Sequence, residues 1–233
     1  MLGVVIPAHN EAAFIGSCVR SVIRAAKHPA LAGEEVRIFV VLDSCTDGTG
    51  DVASALDAHV LLVETRNVGV ARATGAAAAL AQKARWLAFT DADTIVAPDW
   101  LVEQLRCNAD AVCGVISVGD WSGHSDAVRE NFVTTYHDVD GHRHIHGANL
   151  GVSAKAYALV KGFQPLASNE DVALVKALIA AGATIAWSAA PRVTTSARLD
   201  SRAPGGFGDA LRKVSRRLAT TGLPAAALTD CGK

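Results

Sequence analysis

Trp86-Leu-Ala-Phe-Thr-Asp-Ala-Asp-Thr-Ile95 is an apolar run that ends in two aspartates one residue apart. Apolar runs bounded by polar breaks read as buried strands. Asp91 and Asp93 then stand at a strand's C-terminal end, where open α/β sheets bind their ligands. Two hard oxygen ligands there suit Mg²⁺ or Mn²⁺ shared with a substrate's phosphates. Taken alone, the pair reads equally well as an acidic loop after a strand, so the rest of the chain decides.

Upstream, strand-like and helix-like segments alternate. Gly3–Pro7, Val36–Leu42 and His59–Val63 are short apolar runs, and Arg85–Thr90 completes a set of four predicted strands. Between them, Glu11–Lys27 carries Phe14, Ile15, Cys18, Val19, Val22 and Ile23 at helical spacing. A second helix, capped by Thr46 or Asp47, runs to about Leu56, and a third spans Val70–Gln82. This alternation predicts βαβ units and a mostly parallel sheet flanked by helices. Right-handed crossovers bring the loops after each strand to one edge. Those loops are Ala8–Glu11, Asp43–Asp47, Arg66–Asn67 and Asp91–Asp93, so the suggestive polar residues of the first half converge on one rim.

The second half is less regular. Pro98–Arg106, Asp126–Tyr136, Ala154–Val160 and Asp171–Ala181 read as helices, the last stopped by Gly182. Ala111–Val118, Thr184–Trp187 and Arg192–Thr195 read as strands, and His142–Gly151 as a polar loop. Ala203–Phe207 is a hinge-like loop before a basic helix at Asp209–Ala219.

Of 233 residues, half are apolar and 19% charged, enough for a sizeable core. A net charge of −1 argues against a nucleic-acid role driven by phosphate neutralisation. The five cysteines are scattered, without a C-x-x-C pair, and read as reduced thiols of a cytoplasmic protein, Cys107 and Cys113 included. No basic leader precedes Val4, and no apolar stretch reaches the roughly 18 residues that span a bilayer. The expectation is a cytoplasmic protein, with any membrane contact peripheral and at the inner face.

Five spaced motifs line up in order. Val5-Ile-Pro-Ala-His-Asn-Glu11, Val40-Val-Leu-Asp-Ser-Cys-Thr-Asp-Gly-Thr49 and Arg66-Asn-Val-Gly-Val-Ala-Arg72 precede the aspartate pair; Gly147-Ala-Asn-Leu-Gly151 and Asn169-Glu-Asp171 follow it. Together they resemble the inverting family 2 glycosyltransferases with a GT-A fold, over about residues 3–195. The resemblance implies one glycosyltransferase domain over 1–203. Residues 1–97 would bind the nucleotide sugar and 98–203 the acceptor, with a basic helix and tail at 204–233.

It also implies roles. Pro7, Ala8 and Glu11 would hold the nucleotide's base and ribose. Asp43 would accept a hydrogen bond from the base, which favours uracil and a UDP-sugar. Arg72 would lie near the diphosphate or base, where a guanidinium suits phosphate. Asp91 and Asp93 would organise ribose and a Mn²⁺ or Mg²⁺ ion, with Asp93 the direct ligand. Asp171 would be the catalytic base that takes the acceptor hydroxyl's proton, and Glu170 would orient the acceptor. Without the other motifs, Asn169-Glu-Asp171 reads as an acidic helix start favoured by the helix dipole.

Leu42 stands where many relatives carry a further aspartate, which weakens detailed claims about base recognition. The Q-x-x-R-W signature of processive synthases is absent, so transfer of a single sugar is expected. The acceptor, whether saccharide, lipid or small molecule, is not legible. His146 and Asn149 are expected beside it, as is Trp121, whose ring suits sugar packing or a core equally. His142, His144 and His146 alternate as imidazoles on one strand face do, but no further ligand completes a zinc site. Ser196, Arg198 and Arg202 are expected either to close over the diphosphate or an acidic acceptor, or to form a solvated basic tail. Arg212, Lys213, Arg216 and Arg217 lie on a helix whose apolar side chains suit docking on the domain better than a membrane surface.

Two other classes make different demands on the sequence. A sugar-phosphate nucleotidyltransferase needs a glycine-rich, basic loop near the N-terminus, where this chain has Pro7-Ala-His-Asn-Glu11. A non-catalytic nucleotide-sugar-binding protein would bind donor without turnover.

Overall fold

The computed structural model describes residues 1–198 and 206–221. The first half follows the alternation read from the sequence: β1 (Leu2–Ala8), α1 (Ile15–Ala26), β2 (Val36–Asp43), α2 (Thr49–Ser54), β3 (His59–Val63), α3 (Val68–Ala81) and β4 (Trp86–Phe89). Then come β5 (Ile95–Val96), α4 (Trp100–Arg106), β6 (Ala111–Val118), α5 (Asp126–Thr135), β7 (Leu150–Ser153), α6 (Ala154–Leu159), α7 (Glu170–Ala180), β8 (Ile185–Thr195) and α8 (Phe207–Thr221).

The strands form one sheet in the order β3-β2-β1-β4-β7-β6-β8-β5. β1, β2, β3 and β4 pair in parallel, while β7 runs antiparallel between β4 and β6. That reversal has a consequence for the site. The start of β7 lies at the same edge as the ends of β4 and β6, so the loop carrying Gly147 joins the rim of Asp91. β8 runs parallel to β6, which brings Ser196 to that rim as well.

Side chains alternate across the strands, and both faces are buried. Val4 and Ile6 face α1 and α4, against Val19, Val22 and Leu101. Val5, Phe39 and Val41 face α3 and α7, against Ala76, Ala79 and Leu174. The alanine-rich stretch is thus a packed helix, and its small residues let α3 lie close to the sheet. A Cβ at Gly75 would stand 2.4 Å from Val5 Cγ1.

Several boundaries differ from the sequence reading. α1 begins at Ile15 because the Glu11 carbonyl is taken by a turn, accepting from both Phe14 N and Ile15 N at 2.9 Å. α3 starts two residues early because Asn67 caps it, its Oδ1 accepting from Val70 N at 3.0 Å. The pair of short strands at 184–195 is one strand, β8, with a register shift opposite Gly114 and Val115. β5 and β7 are too short and too mixed in composition to show a period, and only their sheet partners make them strands.

The basic helix α8 docks on the domain. Its Leu211 and Val214 are buried with Val128 and Ala197, leaving Lys213, Arg216 and Arg217 on the outer face. Cys18, Cys45, Cys107 and Cys113 are all free thiols. No helix among the described residues is long and apolar enough to cross a membrane.

Candidate functional site

A cavity of about 350 Å³ opens at the rim, lined from β1 by Pro7 and Ala8, from the β2 and β3 loops by Asp43 and Arg66, and by Asp91, Asp93, Gly147 and Asp171. Ser196, Arg198, Phe207 and Gly208 close its far side.

The first two loops are tied to each other. Glu11 N donates to Thr49 Oγ1 at 2.8 Å, Ala12 N to Asp47 Oδ2 at 3.1 Å, and Thr46 N to Asn10 Oδ1 at 2.8 Å. Asp47 also accepts from Thr49 N at 3.0 Å, so Asp47-Gly-Thr49 opens a helix.

Asp43 ends β2 and faces the loop after β3. Its Oδ1 accepts from Thr65 N at 2.8 Å, Arg66 N at 2.7 Å and Ser44 Oγ at 3.1 Å. Its Oδ2 accepts from Asn67 N at 2.7 Å and Thr65 Oγ1 at 3.1 Å. Burial alone would raise this carboxyl's pKa; the three backbone N–H groups outweigh it and hold the group below the usual carboxylate range. Five donors on a carboxylate with about four lone-pair sites leave no vacancy for a base N–H. Asp43 therefore shapes the loop, and Arg66 sits there at φ 46°.

Asp91 and Asp93 leave β4 in a turn closed by Thr94 N on the Asp91 carbonyl at 3.1 Å. Arg72 Nη2 donates to Asp91 Oδ1 at 2.5 Å. Arg198 forks onto both oxygens of Glu11 and lies 3.3 Å from Asp93 Oδ2. Burial, and then Asp91, push the Asp93 carboxyl up to about 6 against the pull of Arg198. Buried negative charge at this point exceeds what Arg198 neutralises. Among the described residues no group of three or more His, Cys, Asp or Glu side chains could hold a metal ion. That is compatible with an ion held by one or two carboxylates plus phosphate oxygens.

Asp171 stands across the cavity at the start of α7. Oδ2 accepts from Gly147 N and Oδ1 from Val172 N, both at 2.7 Å. Burial raises its pKa, and the Arg72 charge opposes the rise. Its neighbour Glu170 is 3% exposed and paired with Arg72. Glu170 is therefore the partner of a buried cation, and not the solvated dipole-capping acid that the helix start alone suggests.

A comparison with sequence-family models matches glycosyl transferase family 2 over residues 3–159, more than half of the chain. The chain belongs to glycosyl transferase family 2.

Solved structures share its fold. S. aureus TarS 1–349, in complex with UDP-GlcNAc, is similar at TM-score 0.67 and 14% identity, over 88% of this chain and 61% of that one. The mannosyltransferase PcManGT from Pyrobaculum calidifontis, in complex with GDP-Man and Mn²⁺, gives 0.65 and 16%, over 98% and 66%. Glucosyl-3-phosphoglycerate synthase from Mycobacterium tuberculosis, with Mn²⁺, UDP and glucosyl-3-phosphoglycerate, gives 0.58 and 21%, over 97% and 81%. This family 2 chain thus spans about three fifths of the TarS fragment. No curated protein matches it in sequence.

Most residues expected at the site do line the cavity: Pro7, Ala8, Glu11, Asp43, Arg72, Asp91, Asp93, His146, Glu170 and Asp171. Three are placed otherwise than expected. Arg72 is 4% exposed and both terminal nitrogens are taken by carboxylates, which leaves little of it for a diphosphate. Asn149 is fully buried. Its Oδ1 accepts from Trp100 Nε1 at 2.8 Å, and its Nδ2 donates to the carbonyls of Val115 at 2.7 Å and Pro191 at 2.8 Å. It pins the rim from beneath and does not reach the cavity. Trp121 packs against Phe132 and His124, at ring distances of 5.4 and 5.9 Å, outside the cavity lining.

The histidines make a ladder. His144 stacks on Tyr136 at 4.1 Å, on His142 at 5.3 Å and on His146 at 5.8 Å. Tyr136 Oη accepts from Ile116 N at 2.9 Å and is hydrogen-bonded to His146 Nε2 at 3.0 Å. Burial, then the charges of His144 and His142, push His146 down to about 3 and keep it neutral.

Sequence reasoning missed Gly147 as an individual contributor, because a backbone N–H carries no residue signature. It also missed the fork of Arg198 on Glu11, which joins residues 187 positions apart. Arg202 and most of the Pro204–Gly206 loop lie outside the described residues.

Proposed function

We propose that this chain transfers one sugar from a nucleoside-diphosphate sugar to an acceptor hydroxyl by a single inverting displacement, with Asp171 as base. The observation that carries the reading is the placement of two carboxylates with different tasks on one cavity. Asp93 shares the single Arg198 cation with Glu11 on one side, and Asp171 is held by two backbone N–H groups on the other. Asp93, with Asp91 beside it, would hold a Mn²⁺ or Mg²⁺ ion. Such an ion supplies neutralisation of the charge that develops on the departing diphosphate.

Pro7, Ala8 and Glu11 would bind the nucleoside. The acceptor oxygen attacks the anomeric carbon as its bond to the diphosphate breaks, and the hydroxyl proton passes to Asp171. Asp171 must be ionised to serve. Burial raises its pKa, so the acid limb of the rate profile is expected above the ordinary carboxylate range. Asp43 gives no support to uracil over other bases, so the donor's base stays open between uridine and other nucleotides.

The test begins with a thermal-shift panel of UDP- and GDP-sugars with and without Mn²⁺, since a ligand of the native state raises the melting point. Asp93→Ala is expected to lose the Mn²⁺-dependent part of the shift. Asp171→Asn is expected to lose transfer and keep donor binding. Full transfer by Asp171→Asn would remove it as the base, and donor binding without turnover in the wild type would favour a binding protein.

A further inference from the structure

Arg72 leaves the first turns of α3 and passes beneath the loop before β7. One terminal nitrogen donates to Asp91 and the other to Glu170. Gly147 lies against the guanidinium, since a Cβ built there would stand 2.4 Å from Cζ and from both terminal nitrogens. The same Gly147 donates its N–H to Asp171 Oδ2 at 2.7 Å. A donor-side carboxylate, an acceptor-side carboxylate and the loop that holds the base thus meet on one cation.

Stability does not explain this arrangement. Buried ion groups lose hydration that their mutual attraction often fails to recover, and apolar replacements of the same shape are commonly as stable. The network is also incomplete, because Arg72 Nε is buried with no hydrogen-bond partner among the described residues. The Phe163 ring, its centroid 5.9 Å from Cζ, adds a further wall that fixes the fork.

We propose that Arg72 is a positioning residue that ties the donor half of the site to the acceptor half, setting both the place and the charge of Asp171. The proposal rests on the reading of Asp171 as base only for its catalytic consequence. The geometry can be tested without it. The charged and titratable groups that act on Asp171 are Arg72 on α3, Asp91 after β4 and Cys113 on β6, and its chain neighbour Glu170 is tied to the same Arg72. Arg72 is the only cation in that set. Its removal leaves burial and Asp91 opposed by the Gly147 and Val172 N–H groups without any cation, so Asp171 should keep its proton to higher pH. Removal of the Glu170 charge frees more of the guanidinium's field and takes away a like charge, so Asp171 should release its proton at lower pH.

The experiment follows the side-chain carboxyl ¹³C signal of Asp171 against pH in the donor-free, full-length protein labelled at aspartate, assigned with Asp171→Asn. Arg72→Gln is expected to move the midpoint up by about one pH unit or more, the usual effect of one nearby opposite charge. Arg72→Lys keeps the charge and should hold the midpoint within about half a unit of wild type. Glu170→Gln should move it down. An unchanged midpoint in folded Arg72→Gln overturns the proposal. If that variant fails to fold, an unchanged or raised midpoint in Glu170→Gln does so.

The kinetic arm uses hydrolysis of UDP-glucose with Mn²⁺, water standing in for the acceptor. Its acid limb should move with the midpoint across the variants, and a limb that stays put while the midpoint moves overturns the catalytic coupling. Retained turnover in Asp171→Asn would instead overturn the base assignment and leave the carboxyl titration of Arg72→Gln to decide the link itself.

Discussion

Asp43→Asn separates a loop-forming carboxylate from a base-reading one. The substitution keeps shape and removes one acceptor. With its oxygen in place of Oδ1, the asparagine still accepts from Thr65 N and Arg66 N, but its amide nitrogen then faces the Asn67 N–H, donor to donor. One partly buried backbone donor loses its acceptor, at a cost of about 1–3 kcal/mol. The two retained backbone bonds lose their charge assistance, which roughly halves each. The sum is about 3 kcal/mol, read by urea unfolding at pH 7. Asp43 has its folded pKa depressed, so its contribution is present above the unfolded value of about 3.9 and is lost as pH falls below it. The difference between wild type and variant should therefore narrow below about pH 4. A loss under about 0.5 kcal/mol, together with loss of UDP binding, would refute the reasoning and return Asp43 to base recognition.

Other outcomes follow from the same contacts. Gly147→Ala puts a methyl 2.4 Å from the Arg72 guanidinium, so it should cost about 1–3 kcal/mol and lower the rate of donor hydrolysis by more than tenfold; wild-type turnover would contradict the close approach. Asn149→Ala leaves the Trp100 N–H and two carbonyls without their partner, so a loss of roughly 3 kcal/mol in thermal or urea unfolding is expected; wild-type stability with a raised acceptor KM would restore Asn149 as an acceptor contact. Arg198→Gln withdraws a competing cation from Asp93 and Glu11. Mn²⁺ binding to the donor-free protein, followed by electron paramagnetic resonance, should tighten about fivefold, the equivalent of ~1 kcal/mol for a partly exposed pair; weaker binding would make Arg198 a supporter of the cation site.

The alternation of apolar runs and helical spacings was enough for the parallel half of the sheet. Strands with both faces buried must be nearly all apolar, and β1, β2 and β4 are. The rim followed from that topology, because right-handed crossovers leave every loop after a strand on one edge. Hence Ala8, Asp43, Asp91 and Asp93 could be named together. The second half gave less. β7 has four residues and β5 two, too few for any period to show, and β8 reads as two strands because the chain bends opposite Gly114. Asn149 illustrates the limit at the site. Its motif pointed to an acceptor contact, and only the packing of Trp100, Val115 and Pro191 around it shows that its amide is spent on the scaffold.

By itself, then, the order of residues determined where carboxylates would gather, since period and turn chemistry are local and the crossover rule carries them to one edge. Which of those carboxylates is vacant was decided by tertiary structure alone. Asp43 is saturated by donors that include the backbone of a loop 22 residues away, Glu170 is spent on Arg72, Asp91 gives one oxygen to that same cation, and Asp93 shares Arg198 with Glu11. Hydrogen-bond capacity and burial depend on neighbours that are distant in sequence, and no motif records them.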